Sequence, residues 1–318
     1  MKTRFKTTVR ACGLALLLLG AAGAAQARLQ VVATLPDLGQ VAQFVGGPDV
    51  EVQVLCPPDM DPHFLPAKPS LARRLAKADL MVYNGMELEI GWLPQLLGKA
   101  RNPEIRPGRR GELDCSAALA VPLEVPGAGV DRSEGDVHPL GNPHYTLDPE
   151  RMVAVGRLMA ARMGELDPAH AADFTGRADA FAAEVARRVP AWRARTEAAR
   201  HIPVIVYHRN WAYLVDWLGL NVVGEIEHRP GIAPSPRHVQ ELIDNGRHLP
   251  RLIVLATTWD HHHVSQEVAE RSGAELVTVP SQTGAVAGAD DYFALIDAIC
   301  DGLAAAADRL ERTGGGER

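Results

Sequence analysis

Three histidines stand in distinctive local contexts along this chain of 318 residues. His63 lies in Asp-Pro-His-Phe, His144 lies in Asn-Pro-His-Tyr, and His208 directly follows the apolar run Ile-Pro-Val-Ile-Val-Tyr. Each context is typical of a turn or of the end of a buried strand, where an imidazole is held at a fixed angle. Neutral imidazole is the most common side-chain ligand for a borderline metal such as zinc. The sequence therefore predicts one transition-metal site built from three distant segments.

The alternation of strands and helices indicates how the three histidines are positioned. Strands that alternate with helices at this spacing form βαβ units and parallel sheets. Such sheets bind ligands outside the carboxyl ends of their strands. His63 and His208 follow predicted strands, and His144 precedes a helix, so all three are expected to face one cleft. The predicted strands are residues 29–34, 50–56, 80–84, 204–207, 221–226, 252–256 and 276–279.

The predicted fold class is α/β, with two parallel-sheet lobes joined by one long, rigid backbone helix and the metal site in the cleft between them. We expect an N-terminal lobe at 28–150, a helical segment at 151–200 and a C-terminal lobe at 201–312. Residues 313–318 are expected to be a disordered tail. Pro190 should kink or end the second helix of the helical segment, because proline lacks a backbone N–H.

Residues 1–27 have the features of a cleavable signal peptide. They combine a positively charged start, an apolar core from Leu14 to Leu19 and the small-residue pattern Ala25-Gln26-Ala27. The apolar core is too short for a permanent membrane anchor. The mature chain is therefore expected to begin near Arg28 and to be periplasmic.

The overall composition is that of an ordinary globular protein, with 47% hydrophobic and 23% charged residues. The net charge of −6 argues against nucleic-acid binding, which would require a basic surface. Aromatic residues are only 5% of the chain, so a sugar-stacking site is not favoured. A monomer is the expected state.

Three cysteines remain in the mature chain: Cys56, Cys115 and Cys300. An oxidising compartment permits one disulfide among them and leaves one thiol. A Cys56–Cys115 bond is favoured because both residues fall in the first half, although the sequence leaves the pairing open. None of the three belongs to a Cys-x-x-Cys pair, which argues against a thiolate zinc cage.

Four groups of motifs are highly specific when they occur together. They are Asp61-Pro62-His63 with Lys68-Pro69-Ser70, Asn84-Gly85, Asn142-Pro143-His144 with Leu147-Asp148-Pro149, and Tyr207-His208 with Trp211 and Tyr213. In these motifs the chain resembles the periplasmic metal receptors of ABC transporters that import zinc or manganese, over nearly the whole mature sequence. The resemblance implies that His63, His144 and His208 bind the metal directly, that a membrane permease is the partner, and that the protein is not an enzyme.

The chain departs from that family's pattern where a fourth metal ligand is expected. Leu65-Pro66 occupies the stretch in which many members carry an acidic residue after the first histidine. The last strand region, Val277 to Ser281, offers no carboxylate where other members place an aspartate. We therefore expect Glu227 to be the fourth ligand, with His228 second, and water remains open.

The predicted ligands favour zinc. Three imidazoles with at most one carboxylate suit tetrahedral Zn²⁺, whereas manganese usually takes more oxygen ligands. The leading hypothesis is an extracytoplasmic, high-affinity zinc receptor that delivers its ion to an ABC-type import permease. The alternatives are a manganese receptor, a metal-binding adhesin, or a zinc hydrolase with three histidines and an open water position. Against the hydrolase, the chain has no His-Glu-x-x-His helix.

Two further histidine segments have an open role. The run Asp260-His261-His262-His263 is either an auxiliary weak metal site or, more simply, an exposed helix start. His138 lies in a Gly- and Pro-rich segment without periodicity. It is expected to be an ordinary loop residue, although it could deliver metal to the site or cover it.

Overall fold

The computed structural model describes residues 28–127, 137–229, 231–260 and 262–314. The predicted signal peptide lies outside these described residues. Among the helices described, none is long and apolar enough to cross a membrane.

The first lobe contains a parallel sheet of four strands. They are β1 (Leu29–Ala33), β2 (Val50–Val54), β3 (Leu80–Tyr83) and β4 (Glu112–Asp114). The strand order is β2-β1-β3-β4, so β1 and β3 are central. Both central strands are almost entirely buried, as expected for a sheet covered by helices on both faces. The sequence did not predict β4, which has only three residues.

The second lobe repeats this arrangement. Its strands are β5 (Pro203–Val206), β6 (Asn221–Glu225), β7 (Ile253–Thr257) and β8 (Glu275–Val279), in the order β6-β5-β7-β8. In both sheets the first strand lies between the second and the third, so the connections leave it in opposite directions. Such a switch point leaves a crevice at the carboxyl ends of the strands. The two lobes therefore each offer a crevice for a shared site.

Nine α-helices occur in the described part of the chain. They are α1 (Pro36–Gly46), α2 (Pro69–Leu75), α3 (Leu93–Ala100), α4 (Pro149–Leu166), α5 (Ala171–Thr196), α6 (Ala212–Leu218), α7 (Pro236–Gly246), α8 (His262–Ser272) and α9 (Tyr292–Gly314). The long α5 packs along α4 and also contacts α1 of the first lobe and α9 of the second. Two parallel-sheet lobes joined by one long helix confirm the predicted fold class.

Two helices extend further than expected. Helix α5 continues through Pro190 to Thr196, because Val185 and Trp192 are buried on either side of the proline and hold the helix in place. The last helix reaches Gly314 and therefore includes the start of the predicted tail. There the Thr313 hydroxyl donates to the carbonyl of Arg309. Residues 315–318 lie outside the described residues.

The favoured Cys56–Cys115 disulfide is also wrong. Cys56 follows β2 and Cys115 follows β4, which are the two opposite edges of the first sheet. Neighbouring strands lie about 4.8 Å apart, so about 14 Å separates the two edges. A disulfide requires Cα atoms within about 7 Å. All three described cysteines are buried free thiols.

Two contacts join the lobes close to their crevices. The buried Asp37 carboxylate accepts hydrogen bonds from the Thr283 amide and hydroxyl at 2.7 and 2.8 Å. The Gln282 side chain donates to the carbonyl of Met60 at 2.8 Å. These bonds fix the two carboxyl-end edges relative to each other.

Candidate metal centre

His63 lies on a single turn of 3₁₀ helix, Pro62–Phe64, after β2. The Asp61 carboxylate accepts hydrogen bonds from the His63 backbone N–H at 2.9 Å and from its ring Nδ1 at 2.7 Å. The Trp92 indole donates to the carbonyl of Pro62 at 2.8 Å. The turn and the ring are therefore fixed together, with Nδ1 engaged by the carboxylate.

His144 directly precedes a 3₁₀ turn, Tyr145–Leu147, and is held by the same kind of side-chain contact. The Asn142 side-chain oxygen accepts hydrogen bonds from the His144 backbone N–H and from Nδ1, both at 2.9 Å. The Asn142 amide nitrogen donates to Glu124 and to the carbonyl of Arg209, which fixes the amide orientation. The Asn84 amide donates to the carbonyl of Pro143 at 2.8 Å. The chain thus uses one local motif, Asx-Pro-His, at two of its three predicted ligands.

His208 follows β5 and is oriented by a residue distant in sequence. Its Nδ1 lies 2.5 Å from a carboxylate oxygen of Glu227, which follows the neighbouring strand β6. The Glu227 amide donates to the carbonyl of Tyr207 at 2.8 Å. The structure thus brings Glu227 to the site, where its carboxylate contacts the Nδ1 nitrogen of His208.

The three predicted histidines meet between the lobes. One ring nitrogen from each of His63, His144 and His208 lies within 4.8 Å of the others. The ring centroids are 5.2 to 5.8 Å apart. The side chains of His63 and His208 are almost fully buried, and Nε2 of His144 is buried as well. This geometry is that of a compact, largely buried group of the size that one metal ion requires.

The electrostatic environments of the imidazoles differ. Burial, together with the neighbouring histidines, holds the pKa of His144 well below its ordinary value. Burial opposes protonation of His208 too, but the hydrogen bond and charge of Glu227 raise its pKa overall. Burial also opposes ionisation of Asp61, yet its hydrogen bonds with His63 lower the pKa of the carboxyl. His144 is therefore ready to bind a cation, whereas His208 competes for a proton.

Carboxylates lie on one side of the imidazoles. Asp61, Glu227 and Asp260 line a cavity of about 380 Å³ that also contacts His63 and His208. Asp260 is buried after β7, where it accepts a hydrogen bond from the Thr257 amide at 2.6 Å. Burial raises the pKa of Asp260 to about 6. These groups place negative charge near a bound cation.

The other histidines singled out from the sequence lie in different places. His138 is not an ordinary loop residue, because its buried Nε2 lies 3.2 Å from Nε2 of His63. His228 is exposed and contacts His238 with tilted rings, whose centroids are 4.6 Å apart. His263 is exposed in the first turn of α8, and His261 lies outside the described residues. A metal site in that run stays a prediction.

Sequence reasoning assigned no role to the two residues that orient His63 and His144. Asp61 and Asn142 were noted only as parts of motifs. The signal that identifies them is the repetition itself, since an Asx two residues before a histidine can accept from both its backbone and its ring. This is the local side-chain-to-backbone bonding typical of Asx turns.

Comparison with known proteins finds relatives that are all named as metal-binding or metal-uptake proteins. The family model described as zinc-uptake complex component A, periplasmic (ZnuA), matches residues 31–306. The manganese-binding lipoprotein MntA of Bacillus subtilis (strain 168) is 28% identical over 225 residues, which cover 69% of this chain and 68% of MntA. The iron-binding protein YfeA of Yersinia pestis is 24% identical over 296 residues, covering 87% and 86% of the two chains.

A solved structure shares the fold. A crystal structure of ZnuA superimposes with a TM-score of 0.71 at 23% identity, covering 88% of this chain and 99% of that one. The names of these relatives include zinc, manganese and iron. The comparisons therefore agree on a metal-binding receptor, but they do not determine which metal is bound.

Proposed function

Because the chain belongs to the ZnuA family of periplasmic metal-binding receptors of ABC transporters, we propose that it is a high-affinity zinc(II) receptor. The family consists of substrate-binding proteins and not enzymes, which excludes the zinc-hydrolase alternative. The observation that carries the proposal is the convergence of three buried imidazole nitrogens within 4.8 Å between the lobes.

His63, His144 and His208 are the proposed ligands, each through Nε2. In each of them Nδ1 is already hydrogen-bonded to an oxygen acceptor. Histidine ligands of metals typically donate their other ring N–H in this way, which fixes the ring and raises its basicity. The arrangement therefore matches a prepared metal site.

Glu227, predicted from sequence as the fourth ligand, fits better as the group that orients His208. Its carboxylate is 2.5 Å from Nδ1, so this ring nitrogen is already engaged by an oxygen. A carboxylate–histidine–metal arrangement strengthens the imidazole as a ligand without occupying a coordination position. We assign Glu227 this role.

Zinc is favoured over manganese by the donor atoms. The compact group of described ligand atoms is all nitrogen, which suits Zn²⁺ and is poor for the harder Mn²⁺. The manganese alternative rests on the similarity to MntA, which is named as manganese-binding. The bound metal distinguishes the two.

We further propose that the chain is exported by its N-terminal signal peptide and hands the ion to a membrane permease as a monomer. Residues 1–27 have the sequence features of such a peptide. Receptors of this family work with an ABC permease.

Native mass spectrometry of the protein purified from the periplasm tests the proposal. We expect one zinc ion per chain in the wild type and none in the triple variant His63→Ala/His144→Ala/His208→Ala. Manganese as the retained ion, or a metal that persists in the triple variant, would overturn it. Under zinc limitation, the wild-type gene should restore growth of a strain that lacks it, and the triple variant should not.

A further inference from the structure

His138 is buried although its surrounding sequence predicts a loop. Its side chain is only 8% exposed, and its ring lies 5.3 Å from that of His63 and 6.5 Å from that of His144. The backbone is closed by a turn in which the Gly141 amide donates to the carbonyl of His138. A fourth imidazole therefore reaches the edge of the three-histidine group.

The hydrogen-bond partners of His138 and His63 determine where their protons are. Nδ1 of His138 is 3.0 Å from the carbonyl of Met86, and a carbonyl can only accept. Nδ1 of His63 likewise faces the Asp61 carboxylate, so both rings carry their hydrogen on Nδ1. In the neutral rings, both Nε2 atoms then present lone pairs.

These two lone pairs face each other. The Nε2 atoms of His63 and His138 are 3.2 Å apart. Two neutral acceptors at this distance repel, whereas a proton or a metal cation between them makes the contact favourable. Ligand nitrogens of tetrahedral zinc, at 2.0–2.1 Å from the metal, are about 3.3 Å from one another. The observed distance is therefore that of one edge of a zinc coordination tetrahedron.

The carbonyl that orients His138 is presented by an unusual turn. Gly85, Met86 and Glu87 have φ of +84°, +52° and +62°, a left-handed conformation that non-glycine residues rarely adopt. The turn is held by Glu89, whose buried carboxylate accepts hydrogen bonds from the Asn84 and Gly85 amides. Such strain persists only where the surrounding structure imposes it, often at functional sites.

We propose that His138 is the fourth metal ligand and completes an all-imidazole site with His63, His144 and His208. This inference rests on the proposed function and makes it more specific. The resulting set is uncharged and all nitrogen, so it discriminates against Mn²⁺ and other oxygen-preferring ions. The carboxylates remain outside the coordination sphere, where they orient two of the rings and balance the charge of the ion.

Zinc K-edge X-ray absorption and zinc competition titrations test this ligand on the zinc-loaded full-length mature protein. We expect outer-shell scattering from four imidazoles in the wild type and from three in His138→Ala, with zinc affinity at least about tenfold weaker. His201→Ala is the matched control, because its side chain is 72% exposed on a distant turn. An unchanged imidazole count and affinity in His138→Ala would overturn the proposal.

A cysteine variant gives a readout that a merely structural role would not produce. In cobalt-loaded His138→Cys, a thiolate bound to the metal should add a near-ultraviolet sulfur-to-cobalt charge-transfer band, which is absent from His201→Cys. A His138→Cys protein that binds cobalt without that band contradicts the assignment. If the wild type binds no zinc at all, the proposed function fails instead, so the two failures are distinguishable.

Discussion

The two lobes orient their metal-facing imidazoles by different means. On the N-terminal side, His63 and His144 are each fixed by an Asx residue two positions earlier in the chain. On the C-terminal side, His208 is fixed by Glu227, which comes 19 residues later and from a different strand. The first device needs only a local turn, whereas the second needs the correct pairing of β5 with β6. One side of the site is therefore set by local sequence and the other by tertiary structure.

The groups that orient His144 and His208 also differ in charge. Asn142 is a neutral amide, and the pKa of its histidine, His144, is lowered mainly by burial. Glu227 is a carboxylate, and it raises the pKa of His208 against the effect of burial. A neutral partner keeps the imidazole free of protons, whereas an anionic partner makes it a stronger donor that must first lose a proton. The site combines both properties.

Removal of either imidazole tests whether both sides are needed. We expect His144→Ala and His208→Ala each to weaken zinc binding by more than about 100-fold. This is a larger loss than is typical when only a hydrogen-bond partner of a metal ligand is removed. Competition titration with a zinc chelator measures the change. If one variant retained wild-type affinity, the histidine that it lacks would not be a metal ligand.

Glu227→Gln should weaken zinc binding by about 10- to 100-fold. The substitution keeps the size of the side chain but removes the charge that supports His208. Glu225→Gln is the matched control, because Glu225 lies on the same segment and instead pairs with Arg209. Equal effects of the two substitutions would show that the general loss of negative charge, and not the contact with His208, is responsible.

The pH dependence of zinc binding should originate on the C-terminal side. The pKa of His208 is raised, so protonation begins to compete with zinc nearer neutrality than for an ordinary histidine. Zinc affinity should then fall by up to about tenfold per pH unit below that pKa.

In the metal-free protein, the stability of the fold should depend on pH in the opposite direction. There the His208–Glu227 pair stabilises the fold fully below pH 6.5, the unfolded value, and this contribution is lost as pH rises through the raised pKa.

Isothermal titration calorimetry between pH 5 and 8 measures this competition. In Glu227→Gln the fall in affinity should begin at a lower pH, because the group that raises the pKa of His208 has lost its charge. A wild-type profile that is unchanged by the substitution would place the competing proton elsewhere.

The difference between the lobes also explains what the sequence could predict. The turns at His63 and His144 are local, and the position of His208 follows from the end of a buried strand, so their meeting could be expected. The contact of Glu227 with His208 could not. It depends on the pairing of β5 with β6, in which the register shifts between Val204 and Ile205. Such an irregularity changes which side chains meet across a sheet, and no pattern in the sequence indicates it.

The same reason applies to His138 and to the cysteines. His138 reaches the site only because the left-handed turn at Met86 presents a carbonyl to it, which depends on contacts between distant segments. Cys56 and Cys115 both fall in the first half of the chain but lie at opposite edges of the first sheet, because β1 and β3 lie between their strands. Sequence reasoning thus found the elements and most of the site, while contacts that depend on sheet order and register required the structure.

Asp61→Asn should have the smallest effect on zinc binding, within about tenfold. Removing a hydrogen-bond partner of a metal ligand typically weakens metal binding by about 10- to 100-fold, and we expect this substitution at the lower end. The chain itself shows that an amide works in this turn, since Asn142 accepts the same two hydrogen bonds from His144. The substitution removes a charge and keeps the shape of the side chain, as Glu227→Gln does. Zinc affinities of the two variants, measured at the same pH and ionic strength, therefore compare what the lost charge contributes on each side. A loss in Asp61→Asn as large as that in Glu227→Gln would show that charge dominates on both sides.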